Sequence, residues 1–449
     1  FDNENSYLKQ YVDYLTISGF AGGSKSIISN IKETSKAIIK YSGNPADKEN
    51  WDRRGLLIGS VQSGKTANYT GIIHAASDVG YKIIILISGT SNLLRQQTQE
   101  RIEEYYVGTC TKQDTKIRQE FGISKDRKDY KKPHIQTTWD KDFVGDKYVN
   151  VNPFSNNESP HIFVIKKQKT VLEKIIKLFK DYQNVSNLPV LIIDDEGDLA
   201  SIDTNYEKDF DGDVEEYSPT TTNKLIRNLL TCFKRRTFLS VTATPFANIF
   251  IDPDLNTNNK DLQKDLFPKD FIHALRPPLN YFGGKKVFGL DEDDLYDEDS
   301  EELYEEFANG ANYTSIIDDI VPALADDIFN ERTGKYMRTR PKPKGADIEF
   351  IPRSMKNAIC NFIIAKSIRS LRGDRESHAS MMINVTVKVD LIERVKDLVI
   401  EYVGELKTEI SNYASLPFET AKKNSDHIKD LYREFLKSFP NINLNNKNE

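Results

Sequence analysis

Apolar residues in the first fifty positions recur at three- and four-residue spacing. Tyr7, Leu8, Tyr11, Val12 and Leu15 form one series, and Ile27, Ile28, Ile31, Ile38 and Ile39 continue it. That period predicts amphipathic helices. The pattern then changes. Short apolar runs appear at residues 55–58, 82–87 (KIIILI), 161–165 (HIFVI), 190–193 (VLII) and 237–241 (TFLSV). Strands that read as continuous apolar runs belong to a parallel sheet buried on both faces. Helical patterns at 67–76 and 91–105 alternate with them. The order predicts an α/β fold, a parallel sheet with helices on both faces.

Residues 253–350 break this rhythm and read as an insertion or linker with acidic and basic loops. Beyond them, 351–372 and 389–406 have helical spacing, 380–386 (SMMINVT) reads as a strand, and the last 40 residues read as helical before fraying into Asn-rich sequence. Four segments follow: a helical N-terminal region (1–50), an α/β lobe (51–252), the insertion (253–350), and the start of a second α/β lobe with C-terminal helices (351–449).

The turn after the first apolar run carries chemistry. Residues 59–66 read GSVQSGKT and match G-x-x-x-x-G-K-[ST] in full, with a strand before and a helix after. Glycines let several backbone N–H groups point at one phosphate, and the following helix N-terminus adds positive partial charge. Gly59, Ser60, Val61, Gln62, Ser63 and Gly64 would form the cradle. Lys65 would bind the β- and γ-phosphates of ATP, and the Thr66 hydroxyl would ligate Mg²⁺.

Residues 191–198 read LIIDDEGD. An apolar strand runs into carboxylates at its C-terminal end, where open α/β sheets place their ligands. Asp195 would hold Mg²⁺ and Glu196 would polarise the attacking water. Asp194 takes the metal role instead if the strand ends one residue early. Residues 240–245 (SVTATP) follow on a further strand, and Thr242 and Thr244 would couple to Asp198.

The P-loop, the D-E-x-D element and SVTATP, in that order, resemble motifs I to III of superfamily 2 helicases and translocases. Three further segments narrow the likeness: 61–69 (VQSGKTANY), 89–101 (GTSNLLRQQTQER) and 377–386 (SHASMMINVT). Together they resemble the Z1-domain family, bacterial ATPases of restriction–modification and phage-defence loci that are often labelled putative endonucleases. The resemblance extends over about residues 50–400. It implies a RecA-like lobe, ATP and Mg²⁺ as ligands, double-stranded DNA contacted without sequence preference, and a defence-system nuclease or methyltransferase as partner. It implies a cytoplasmic enzyme that couples ATP hydrolysis to DNA translocation or remodelling. An ATP-switched binding module that recruits a separate nuclease, or an endonuclease proper, are the alternatives.

Ser88, Thr90, Asn92, Arg95 and Arg101 follow the second strand, where helicase-like lobes touch the phosphate backbone. Lys166, Lys167 and Lys169 would extend that track, Arg338, Arg340, Lys342 and Lys344 would add a basic arm, and Trp139 or Tyr69 would stack bases. No Q-x-x-G-R-x-x-R occurs, and 63 residues follow residue 386, so the second lobe reads as truncated and its arginine finger is unnamed. Poor ATP turnover by this chain alone is the expectation.

Composition changes the picture at one point. The formal net charge is −6, which opposes a nucleic-acid partner. Residues 291–306 (DEDDLYDEDSEELYEE) carry 11 negative charges, and without them the remaining 433 residues stand at +5. Cys110, Cys232 and Cys360 lie far apart, as in a reduced compartment. No run of about 18 apolar residues and no signal peptide is present. The first residue is Phe1, so the chain reads as a piece of a longer protein.

Overall fold

The computed structural model describes residues 3–61, 64–112, 120–125, 127, 129–143, 145, 154, 159–203, 219–251, 265–277, 281, 283, 327–330, 335–338, 348–385, 389–440 and 442. They fall into two compact units, Phe1–Lys286 and Val287–Glu449.

The first unit is a seven-stranded, all-parallel sheet of RecA-like type with helices on both faces. In chain order its elements are α1 (Tyr7–Ile17), α2 (Lys25–Tyr41), β1 (Trp51–Ile58), α3 (Lys65–Val79), β2 (Ile83–Ser88), α4 (Asn92–Ile102), β3 (His134–Ile135), β4 (His161–Lys166), α5 (Lys169–Asp181), β5 (Val190–Asp195), α6 (Thr221–Thr231), β6 (Arg235–Thr242), α7 (Phe246–Ile249) and β7 (Phe271–Ala274). The strands lie in the order β3-β4-β2-β5-β6-β1-β7.

Period-two alternation divides the core. Ile84, Leu86, Ile162, Val164, Leu191, Ile193, Leu239 and Val241 face one way, onto α1, α2 and α3. Ile83, Ile85, Ile87, Phe163, Ile165, Val190, Ile192 and Phe238 face the other, onto α5 and α6. The apolar series of the first fifty residues faces the core, with Leu8, Leu15 and Ile38 wholly buried and Val12 and Ile27 half-buried. α1 and α2 lie over α3, which is why α3 is buried from Ala67 to Ala76 without an amphipathic pattern. Asp78 of α3 accepts hydrogen bonds from the first N–H groups of α1, Tyr7 N (2.7 Å) and Leu8 N (3.0 Å). A carboxylate there satisfies orphan donors and complements the helix dipole.

Two expectations need correction. The sheet runs past residue 252, because β7 pairs with β1. Its sequence, FIHA, is four residues long at the sheet edge, with only Phe271 buried, and leaves little apolar signal. In the second unit, 380–385 forms no strand. Among the described residues no strand lies beside it, and Met382 is 87% exposed, so its backbone is left to water rather than to a sheet. Thr386, the acidic block 291–306 and Arg340, Lys342 and Lys344 lie outside the described residues, as do Gln62 and Ser63.

The described part of the second unit holds β8 (Asp327–Asn330) antiparallel to β9 (Lys335–Arg338), then α8 (Arg353–Leu371), α9 (Val389–Tyr413), α10 (Phe418–Asn424) and α11 (Asp426–Ser438). Leu391, Val395, Leu398, Tyr402 and Leu406 make one stripe of α9. They pack with Ile359 and Cys360 of α8.

One close approach fixes the β1 edge. A Cβ on Gly55 would lie 2.0 Å from the ring of Phe271, its register partner on β7. Gly55→Ala should lower stability by about 1–3 kcal/mol, the usual cost of overpacking. It should appear as a lower urea midpoint at unchanged slope, with the Gly55→Ala/Phe271→Ala pair losing less than the sum of the single changes.

Candidate active site

Three adjacent strands, β5, β6 and β1, end together. Ile58 is opposite Thr242, and Asp195 is opposite Val241. The turns beyond them bring the sequence-marked residues into one place.

The loop after β1 passes into α3 through Gly64, whose φ of +89° suits glycine. Gly59 is buried, and a Cβ there would strike the Lys65 side chain at 2.7 Å and Leu275 at 2.9 Å. Lys65 folds back over the loop, its Nζ donating to Gly59 O (3.1 Å) and Ser60 O (3.2 Å). Burial lowers the Lys65 pKa, and the charges of Asp195, Asp198 and Glu196 oppose that shift. The ammonium therefore stands in the field of all three carboxylates. Thr66 Oγ1 accepts a hydrogen bond from Arg101 (3.1 Å).

Alternation along β5 separates its two final aspartates. Asp194 points to the α5 and α6 side, where its carboxylate is 2.9 Å from Lys167 Nζ and both side chains are buried. Lys167 also donates to the carbonyls of Asp195 (3.1 Å), Glu196 (2.8 Å) and Leu199 (3.0 Å). Asp195 points to the α3 side and accepts from the Tyr69 hydroxyl (3.2 Å). A neutralised Asp194 has no free charge for a cation. The strand runs through Asp195, so the reading that ends it one residue early does not hold. Burial pushes the Asp195 carboxyl up to about 6, with the Tyr69 hydrogen bond opposing and the Glu196 charge adding to the rise.

Glu196 has φ +52°, the left-handed region that non-glycine residues rarely occupy. This reversal lets Gly197 N donate to Val241 O (3.1 Å) and brings Asp198 onto β6. Gly197 is required there, since a Cβ would lie 1.9 Å from Ser240 Oγ. Thr242 Oγ1 donates to Asp198 (2.6 Å), and Thr244 Oγ1 donates to its other carboxylate oxygen. Burial opposes ionisation of Asp198, but the two hydroxyls hold its carboxyl below the usual range. The Glu196 carboxylate lies beside Gly89, where an added Cβ would be 3.0 Å from Oε2.

The expected phosphate track fares differently. Ser88 is fully buried and donates to Ile165 O (3.0 Å). Arg95 is 2% exposed and donates to the carbonyls of Thr138 and Trp139. Neither can reach a phosphate, because each is spent on interior carbonyls. Lys167 is buried on Asp194, and Tyr69 is buried on Asp195, so neither joins a nucleic-acid surface. Thr90 and Asn92 are exposed, and Lys166 donates to Asn92 Oδ1 (2.7 Å). Arg101 is exposed but faces Thr66. Sequence reasoning missed Tyr69, as a partner of Asp195, and Lys167, as the counter-ion of Asp194. The adjacent acids in LIIDD were the available signal, since a buried strand cannot hold two uncompensated charges.

Two outcomes follow. The Asp195 pKa is raised on folding, from about 3.8 to about 6, so its ionised form destabilises the metal-free protein above pH 6. The penalty fades as pH falls through 6 towards 4, where the folded carboxyl takes up its proton. Asp195→Asn should therefore raise stability at pH 7.5 without metal, by on the order of 1–3 kcal/mol, with the gain vanishing near pH 4 in denaturation curves. Lys167→Met should cost about 3–5 kcal/mol by leaving Asp194 buried and unpaired, and Lys167→Met/Asp194→Leu should recover most of it.

No curated protein matches the chain. Residues 354–448 match the Z1 domain. The match lies on α8 to α11 in the second unit, and includes 377–386 but neither the P-loop nor 89–101. Over those residues the chain is similar to the Z1 family.

Proposed function

We propose that the first unit is a Mg²⁺-dependent ATPase. The observation that supports this most strongly is the convergence, at the ends of β1, β5 and β6, of a lysine on a glycine-bounded turn with three carboxylates of different environment. The residues fit the ligands chemically. Lys65 would be drawn from the loop carbonyls to the phosphates. Thr66 and Asp195 would hold Mg²⁺, which neutralises charge developing on the phosphates. Its binding would also offset the burial that raises the Asp195 pKa. Glu196, on its reversed turn, would orient and polarise water. Asp198, clamped by Thr242 and Thr244, would link the site to β6 and the exposed α7.

The likeness to helicase motifs and the Z1 match extend this reading to an ATPase coupled to DNA translocation or remodelling in bacterial restriction or anti-phage defence. Thr90 and Asn92 are the remaining candidate phosphate contacts. An ATP-switched module that recruits a separate nuclease is the rival. Phosphate release from ATP should require Mg²⁺, rise on adding double-stranded DNA, and fall at least 100-fold in Lys65→Ala and Glu196→Gln. Mg²⁺-independent or Lys65-independent release would sink the ATPase reading. Turnover indifferent to DNA would favour the switch.

A further inference from the structure

A cavity of about 460 Å³ opens beside the start of α3. Gly64, Lys65, Thr66, Ala67 and Thr70 form one wall, Arg101 stands at its edge, and Tyr11, Phe20 and Tyr105 form the rest. Its size is that of a small-ligand site. One side is cationic and lies on the P-loop. The other is aromatic.

The aromatic side is held firmly. Tyr11 stacks on His74 (4.4 Å between centroids, 11° between planes), and its hydroxyl donates to Ala67 O (3.0 Å). Tyr105 packs edge-on against Tyr11 and Tyr14 (6.4 and 5.7 Å). Phe20 rides on the turn Phe20–Gly23, in which Ala21, Gly22 and Gly23 have positive φ, as does Gly19 before it. Ala21 at +52° is a left-handed non-glycine residue, a strained conformation of the kind that collects at ligand clamps. Phe20 is only half-buried, packed against the edge of the core.

We infer that this cavity is the base subsite of the nucleotide whose phosphates the P-loop takes. Phe20 and Tyr105 would stack on the ring, and Arg101 would swing from Thr66 to the phosphate end. The inference rests on the ATPase reading. A ligand that is flat and apolar at one end and polyanionic at the other matches both walls. The Tyr11 and Thr70 hydroxyls already donate to Ala67 O and Thr66 O (2.8 Å), so stacking carries most of the contact.

Calorimetry with the full chain and Mg²⁺ tests it, using ATP and inorganic tripolyphosphate as separate probes. Phe20→Ala and Tyr105→Leu should each weaken ATP roughly 10-fold or more while tripolyphosphate binding stays within about twofold, and Phe20→Tyr should bind ATP as wild type does. Lys65→Ala should weaken both probes. In Phe20→Trp, whose fold near-native melting would verify, ATP should quench the new tryptophan and tripolyphosphate should not. The subsite is overturned if wild type binds ATP no tighter than tripolyphosphate, if Phe20→Ala and Tyr105→Leu lose both probes equally, or if ATP leaves the tryptophan unquenched. Lys65→Ala without effect on either probe overturns instead the reading of the loop on which the subsite rests.

Discussion

The buried ion pair of Lys167 with Asp194 is the constraint on which the site depends. Both side chains are withdrawn from water, where an uncompensated charge costs several kcal/mol. Lys167 repays its burial by also meeting three backbone carbonyls, those of Asp195, Glu196 and Leu199. The ammonium thus caps the end of β5 and gathers the turn that follows it. That turn holds Glu196 left-handed and delivers Asp198 to Thr242 and Thr244. One cation from the end of β4 thereby organises the acidic segment from Asp194 to Asp198 from the face opposite the P-loop.

The carboxylates differ because their surroundings differ. Asp194 is neutralised from below by Lys167. Asp198 is stabilised as an anion by two hydroxyls. Among the described residues, Asp195 has Tyr69 and a backbone N–H against strong burial, and its affinity for a proton rises. A buried carboxylate with so little to offset its burial is poised for a cation, and environments that push such values apart mark a division of roles. The same burial that weakens the metal-free fold gives Asp195 something to gain from a counter-ion.

Much of this was legible in the sequence, and the failures have specific causes. Strands buried on both faces announce themselves, so β1, β2, β4, β5 and β6 were all visible. The edge strand FIHA lacks that signature, and SMMINV carries a strand's composition without a strand's neighbours among the described residues. The P-loop and SVTATP could be read because their spacing encodes backbone geometry. The roles of Asp194 and Asp195 hung on one residue of strand length, since each step along a strand exchanges faces. Ser88, Arg95 and Lys167 were misjudged because a polar side chain says nothing of whether its partners are water or buried carbonyls. Only the packing of α4 and β4 decides that.

The corrected role of α4 alters how the site connects to its surroundings. Its middle is bound inward: Arg95 and Gln99 hold the carbonyls of 137–139, and Gln99 meets Glu103. Its approach at Gly89 lies against the Glu196 carboxylate, and its last turn reaches Thr66 through Arg101. The helix, tied down along its length by buried polar contacts, therefore reaches the site through Arg101, and the turn leading into it lies against Glu196. Packed elements of this kind shift as units rather than bend, because their interior contacts are bistable and not continuously deformable. Whatever draws Arg101 off Thr66 or moves Glu196 acts on the same body, and Thr90 and Asn92 are carried at its exposed end. Exposure there and burial along the middle make α4 a helix anchored in the core rather than a surface strip of phosphate contacts.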